Sequence, residues 1–485
     1  MDFFATLRSE FGLIVPQAQL ALFGLAILLT EFALPPRLRY FNALLAGVAV
    51  LFSGYALWAQ RGWNASGFAG TIIVDPFFVF FGFLFLGSTA LVILLSVRYL
   101  EIEEEHHGEY YSLMLFATVG MMFMACGNDL VVLFIGLETM ALSFYVLAGF
   151  LRRDKRSNEG ALKYLLLGAF SSGMLAYGFS ILYGLAGSTN LDVIRAAIAK
   201  RDPHDVLVLL ALVTTSAGLF FKIAAVPFHQ WAPDVYEGAP TSVTAYLSVA
   251  SKAASFALLL RIYLIPFAAA HARWEILLAV IAVASMTIGN LAAITQTNIK
   301  RLLAYSSIAH VGYILLGIVA GNPTGLKGVA YYLLAYTFMN TGAFAVVILL
   351  RRKGVIGDEL DDLNGLSSRN PGAALLMLIF LISLAGIPPT AGFVGKWFIF
   401  WGLIESKHYF LAIFAALYIV PAMYYYLRVV VAMYMSDALD PSHVSISPGQ
   451  RIALALTVLL SLVAGVWPEP FIQLANYSLS LPIPR

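Results

Sequence analysis

Six ionisable side chains sit in apolar stretches where a charge is costly: Glu138, Lys163, Lys222, Lys252, His310 and Lys396. A charge at the centre of a bilayer costs on the order of 2.5–3.5 kcal/mol on insertion scales, so residues of this kind point to function. Lysine is the informative type. Desolvation favours its neutral form and a nearby carboxylate its charged form, so a buried lysine can lose and regain a proton. Arginine stays protonated and cannot. A glutamate, several lysines and a histidine at similar depth therefore read as a proton relay, with water bridging any gap longer than one hydrogen bond. A voltage sensor would instead carry regularly spaced arginines on one helix, and no run has them.

Depth follows from the helical rise of about 1.5 Å per residue. Glu138, in "LVVLFIGLETMALSFYVL", lies about ten residues into its run, roughly 15 Å deep. Lys252, in "AYLSVASKAASFALLL", is about eleven residues into its own, and His310, in "RLLAYSSIAHVGYILL", holds the matching place. Lys222 and Lys396 lie beside helix breaks. Lys163, in "NEGALKYLLLG", is about one turn inside. Plainer readings stand beside these. Lys163 is near a helix end and can snorkel to the interface. Glu138 and Lys222 could form an ion pair that only fixes helix packing, though three further ionisable groups would then lack counter-charges. His310 could be a neutral packing histidine and His229 a helix-end cap. His106 and His107 fall in the acidic loop "EIEEEHHGE", where a metal site is disfavoured.

The elements that must hold these residues are membrane helices. The 485 residues are 60% hydrophobic and 12% charged, against roughly 25% charged in soluble domains. Net charge is +2, which gives no case for nucleic-acid binding. Cys126 is the only cysteine, which rules out an intrachain disulfide and any Cys-ligated cluster or zinc site. No G-x-G-x-x-G or P-loop pattern suggests a nucleotide. The opening "MDFFATLRSEFGLIVP" lacks a basic segment followed by a clean apolar core, so no cleavable signal is expected.

About fourteen apolar runs are long enough to cross a bilayer. They lie near 16–35, 40–60, 74–98, 110–126, 128–150, 160–186, 206–235, 241–268, 273–294, 301–320, 326–351, 372–406, 408–436 and 449–477. The expected class is an all-α polytopic membrane protein; solid rather than alternating apolarity argues against a β-barrel. Basic loops "PRLR", "LRRDKR", "NIKR" and "RRK" fall on one side, with "RAAIAKR" at 195–201 as an exception. The positive-inside rule then places both termini on the outer face. Neither 99–109 nor 353–371, the longest polar loops, has room for a soluble domain.

The seventh run contains Pro227 and the twelfth contains "GIPPTAGFVGK". A helix of about 30 residues spans some 45 Å, against a core of about 30 Å. Proline also removes a backbone donor. Both runs are expected to break, with the Pro227 break opening a polar pocket beside Lys222. The five-helix spacing of the breaks suggests inverted repeats, helices 4–8 and 9–13. The chain then divides into 1–109, the repeats 110–268 and 269–436, and a C-terminal helix, 437–485.

Four motifs, "GLE" at 136–138, "FKIAAVPFHQWAPDVYEGAPT" at 221–241, "KRLLAYSSIAHVGY" at 300–313 and "GIPPTAGFVGKW" at 386–397, resemble the antiporter-like membrane subunits of respiratory complex I, the proton-pumping NADH:quinone oxidoreductase. These are related to subunits of multi-subunit cation/proton antiporters. The resemblance is strong over about 110–435. It implies a non-redox, proton-translocating subunit of a bacterial inner-membrane complex. Glu138 matches a helix-5 glutamate that pairs with and modulates the helix-7 lysine, here Lys222, the central proton acceptor and donor. Lys252 and His310 match the middle of a polar axis, Lys396 its exit side and Lys163 a lysine near its input. The FMN, iron–sulfur clusters and quinone are expected in other subunits, with the antiporter-like subunit M and small subunits K and J as neighbours. Among the antiporter-like types the chain is most similar to the one that lacks a C-terminal lateral helix and carries lysine on helix 12. A sodium/proton antiporter subunit is the rival reading, weakened because sodium favours oxygen ligands and the interior shows one obvious acid. A purely structural subunit is the other.

Overall fold

Asp, Asn or Ser followed by proline opens four of the long helices, and the chemistry is the same each time. Asp75, Asn322, Asn370 and Ser447 each cap the first turn with a side-chain oxygen, and the next residue is proline. The cap satisfies an orphan backbone N–H, while proline at the first position needs no partner for the one it lacks.

The computed structural model describes residues 10–35, 38–202, 204–352, 357–438 and 446–479. The terminal residues, on which the uncleaved N-terminus and the placement of both ends rest, lie outside these. So do Pro36, Arg37 and Lys353 of the basic loops. The helices are α1 Val15–Ala33, α2 Tyr40–Ala59, α3 Pro76–Glu103, α4 Gly108–Cys126, α5 Leu130–Ala148 and α6 Lys155–Ala186. After them come α7 Val206–Ile223, α8 Trp231–Gly238, α9 Thr241–Leu264, α10 His271–Ile294, α11 Ile299–Val319 and α12 Pro323–Leu350. The series ends with α13 Pro371–Ala385, α14 Ala391–Glu405, α15 Tyr409–Leu417, α16 Ile419–Met435, α17 Pro448–Val466 and α18 Glu469–Tyr477.

Among the described residues, thirteen helices are long and apolar enough to span a membrane. The remaining run of the expected fourteen is the twelfth, split into α13 and α14, each of 15 residues. Helices α9, α11 and α12 are enclosed almost completely, whereas α1, α6, α10 and α17 turn a face outward. An apolar helix with no polar face belongs in the interior, and two of these three, α9 and α11, carry Lys252 and His310.

Both expected breaks are present. Helix α7 ends at Ala224 in the left-handed conformation (φ +58°), and α13 ends at Gly386 (φ +83°). The Val226–Pro227 and Pro388–Pro389 bonds are cis. The breaks reach the outer surface rather than enclosing a pocket: Pro227, Phe228, Pro388 and Pro389 are exposed. At the place of the expected polar pocket, Pro227 and Phe228 stand exposed while Lys222 is buried.

Three features depart from the apolar-run reading. A hairpin, β1 Ala65–Gly67 against β2 Ile72–Val74, pairs in the loop after α2, and Ile72 bridges to Gly127. The basic exception at 195–201 begins inside Leu191–Ile198, a surface helix that carries Arg195 and buries Leu191, Ile194 and Ile198. The fourteenth run stops at Val466, and Pro468 starts α18.

Candidate functional site

Close helix packing decides which side chains meet. A Cβ on Gly218 would lie 3.0 Å from the Ser171 carbonyl oxygen, so glycine lets α7 and α6 approach, as small residues do between membrane helices. The Ser171 hydroxyl donates to the Gly218 carbonyl at 3.1 Å. That approach brings the next residue, Ser172, between the glutamate and the lysine.

Ser172 donates to Glu138 Oε1 at 2.5 Å and accepts from Lys222 Nζ at 3.3 Å. Lys222 also donates to the Tyr145 hydroxyl at 3.4 Å. The direct Glu138–Lys222 pair expected from the sequence is not formed; a serine on α6 joins the two. A hydroxyl has one proton and two lone pairs, so it can donate to the carboxylate and accept from the ammonium at once. Lys222 closes the last turn of α7. At the break the Phe221 carbonyl accepts from Ala224 N–H and from Trp231 Nε1, each at 2.9 Å, and Val226 N–H donates to Ser285 Oγ at 3.0 Å. The backbone released by the break is therefore satisfied within the protein, which the membrane interior requires.

Lys252 follows a π-helical turn, Leu247–Ser251, within α9. Its ammonium bonds the Ser307 hydroxyl on α11, and the Tyr236 ring centroid is 5.8 Å away. In the widened turn, Ser248 accepts from Asn340 Nδ2 at 2.7 Å. His310 uses both ring nitrogens: Nδ1 lies 2.7 Å from the Tyr332 hydroxyl and Nε2 3.1 Å from that of Tyr426. Lys396 donates to the carbonyls of Ala385 at 2.8 Å and Leu384 at 3.3 Å, and its ammonium is 4.7 Å from the Tyr313 ring centroid. The expected row is thus three buried clusters, around Lys222, Lys252 and His310–Lys396, each lined by hydroxyls and carbonyls. Lys222, Lys252 and Lys396 are each at most 4% exposed.

Lys163 is not simply snorkelling. Its ammonium binds Asp234 Oδ2 at 2.7 Å and Glu159 Oε1 at 2.8 Å. Asp234 stands on α8, and its other oxygen accepts from Arg301 of α11 at 2.8 Å. Arg301 also holds Glu237 at 2.9 Å. One carboxylate therefore ties α6, in the first half, to α11, in the second.

Two further groups belong on the charge map. Asp75 pairs with Arg261 at 3.0 Å, and Arg261 also donates to the Ala125 carbonyl at 2.6 Å. Asp75 is thus a buried acid already bound to a guanidinium, and Asp129 and Asp358 are buried as well. Glu31, His107 and Glu109 gather closely enough to suggest a metal site. Arg39, however, sits 3.0 Å from Glu31 and 2.9 Å from His107 Nδ1, so a cation already fills the centre. His229 precedes α8, its carbonyl accepting from Ala232 N–H at 2.9 Å. Among the described residues it joins none of the three clusters.

The sequence model of the NADH:quinone oxidoreductase/Mrp antiporter transmembrane family matches residues 127–420. A protein named NADH-quinone oxidoreductase subunit N 2, from Solibacter usitatus (strain Ellin6076), is 59% identical over 476 residues, covering 96% of this chain and 97% of that one. Among solved structures, a chain of respiratory complex I from Thermus thermophilus with bound aureothin is similar at TM-score 0.82 and 32% identity, covering 95% of this chain and all of that one. A chain of the Mrp complex from Dietzia sp. DQ12-45-1b shares the fold at TM-score 0.80 and 22% identity, with 96% and 97% covered.

Proposed function

The chain belongs to the NADH:quinone oxidoreductase/Mrp antiporter family of membrane proteins, and from that premise we propose that it is the N-type, proton-translocating membrane subunit of a bacterial NADH:quinone oxidoreductase. It works beside other membrane subunits, with M, K and J as the proposed neighbours. FMN, iron–sulfur clusters and quinone belong to other subunits. It lies in the inner membrane with both termini on the periplasmic side. The chain's proposed organisation is an N-terminal three-helix segment, two inverted repeats over 110–268 and 269–436, and a C-terminal helix.

One observation carries this reading: Lys222, Lys252 and Lys396 are buried and held by uncharged partners. A lysine locked to a carboxylate would keep its proton. One held by hydroxyls and carbonyls can exchange it as its surroundings change. In the proposed cycle Lys163 stands near the input. Glu138 acts on Lys222 through Ser172, and the proton passes by Lys252 and His310 to Lys396. Pumping without redox chemistry in this chain requires only that conformational change elsewhere alters these contacts.

The antiporter reading is less favoured. Sodium prefers clustered oxygen ligands. Of the acids nearest the relay, the buried Asp75 is bound to Arg261 and the half-buried Glu138 to Ser172. Lys222→Ala in the assembled complex is the test. The expected result is NADH oxidation that continues with a lower proton-to-electron ratio. An unchanged ratio sinks the pumping role, and a sodium requirement at fixed pH returns the antiporter reading.

A further inference from the structure

The outer surface of α2, α3 and the start of α17 carries a groove of about 900 Å³ that the relay does not use. Its floor is made smooth by Ala43, Gly47 and Ala90, and its walls are apolar, with Leu51, Ile93 and Leu94 among them. At one end the lining turns polar, with Tyr40, Arg98, Glu101 and Ser447. Arg98 and Glu101 also line a second cavity of about 290 Å³, together with Glu104, Arg351, Arg352 and Gln450. A long apolar slot therefore runs into a small polar chamber.

The dimensions match half a bilayer. From Arg98 back to Ala90 is eight residues of helix, roughly 12 Å, and from Tyr40 to Leu51 eleven residues, roughly 16 Å, at 1.5 Å per residue. The hydrocarbon core is about 30 Å thick, so one leaflet is about 15 Å. The polar end carries both signs of charge. The Arg98 guanidinium and the Glu101 carboxylate lie 3.1 Å apart, with their side chains 50% and 45% exposed. A purely anionic headgroup would meet Glu101 and Glu104 as well as the arginines. A headgroup with a phosphate and a primary amine would find a partner for each.

We propose that this groove is a binding site for one glycerophospholipid of the leaflet on the basic-loop side. The acyl chains lie over Gly47 and Ala90, the phosphate meets Arg98, and the ammonium meets Glu101. The aliphatic stem of Arg98 covers the boundary between slot and chamber, as long cationic side chains do at membrane interfaces. The site is separate from the proton path and does not depend on it.

Gly47 supplies a clean test, because a Cβ there has no atom within 4 Å. Gly47→Trp would fill the slot without displacing the fold. The intact complex would be stripped of loosely held lipid and placed in nanodiscs of phosphatidylethanolamine, or of phosphatidylglycerol with phosphatidylcholine. Its structure would be determined in each, and its tightly retained lipid measured by mass spectrometry. The expected result is two-chain density in the groove with its phosphate on Arg98 in phosphatidylethanolamine. Gly47→Trp should abolish that density, and Arg98→Ala should weaken retention about tenfold, equivalent to about 1.4 kcal/mol, in a complex that still assembles. A neighbouring subunit's side chains in the groove, or an empty groove in both nanodiscs, would overturn the proposal. Equal occupancy by phosphatidylglycerol would overturn its choice of headgroup.

Discussion

Lys396 donates its ammonium to the carbonyl oxygen of Ala385 at 2.8 Å, the last residue of the helix that the second break ends. Helix C-termini present unpaired carbonyls and a partial negative charge. The break thus supplies the partner that no carboxylate gives this lysine. On the first break the arrangement differs: Lys222 lies within the ending helix, and Trp231 shares the Phe221 carbonyl with Ala224 N–H.

Gly386 is what lets Lys396 fold back. Its φ is +83°, and a Cβ there would stand 2.8 Å from Lys396 Cδ and 3.0 Å from Nζ. Gly386→Ala should cost about 1–2 kcal/mol for the left-handed backbone alone and push the lysine off the carbonyls. Thermal unfolding of the purified complex should show the first effect. Proton pumping close to that of Lys396→Ala, with NADH oxidation retained, should show the second. Wild-type pumping in Gly386→Ala would mean that this placement of Lys396 is dispensable.

Ser172→Ala removes the bridge between Glu138 and Lys222 and leaves a carboxylate oxygen without its donor. A loss of about 1 kcal/mol is expected for the unmet, half-buried carboxylate oxygen. The proton-to-electron ratio should fall with assembly intact, and Ser172→Thr, which keeps the hydroxyl, should restore most of it. Equal pumping by the Ala and Thr variants would remove Ser172 from the path.

Asp234 is shared by Lys163 and Arg301, so the two contacts should be energetically coupled. Each partly exposed pair is worth about 1 kcal/mol or less, and Asp234→Asn should fold and assemble. In a double-mutant cycle on pumping rate, Lys163→Ala and Asp234→Ala should together cost less than the sum of their separate effects. Strict additivity would mean that the contact plays no part in turnover.

His106 gives the loop between α3 and α4 a pH dependence. Burial lowers its imidazole pKa, outweighing the upward pull of Glu101 and Glu31, and its Nε2 lies 3.0 Å from the Tyr111 hydroxyl. The folded pKa is below the unfolded one of about 6.5, so the unfolded state binds more protons in that window and local stability rises with pH. Stability should therefore be lost as pH falls below about 6.5. The protection factors of residues 104–110 in hydrogen exchange, corrected for the slower intrinsic exchange in acid, should fall on acidification in the wild type and lose that dependence in His106→Gln.

The spans were legible because solidly apolar runs of the right length have few alternatives, and the breaks because proline and excess length coincide. The relay lysines and Glu138 were legible because charge at depth is an anomaly. Ser172, Asn340, Tyr332 and Tyr426 give no such signal: hydroxyls and amides are ordinary in membrane helices, and only three-dimensional packing says which of them meets a charge. Asp234 sat at the edge of a run, where an acid looks solvated. Arg261, in "LLLRIYL", carries the same anomaly as Lys252, but its partner Asp75 lies 186 positions away, a contact that sequence spacing does not reveal.

Helix α6 carries both Lys163, at the surface contact with Asp234, and Ser172, at the buried bridge. Nine residues make about two and a half helical turns, so the two side chains leave the helix on opposite faces. A roll of α6 about its own axis would swing them in opposite senses, whereas a slide along the axis would carry both the same way. The surface latch and the buried switch thus sit on opposite faces of a single rod, so any displacement of that rod reaches both contacts at once.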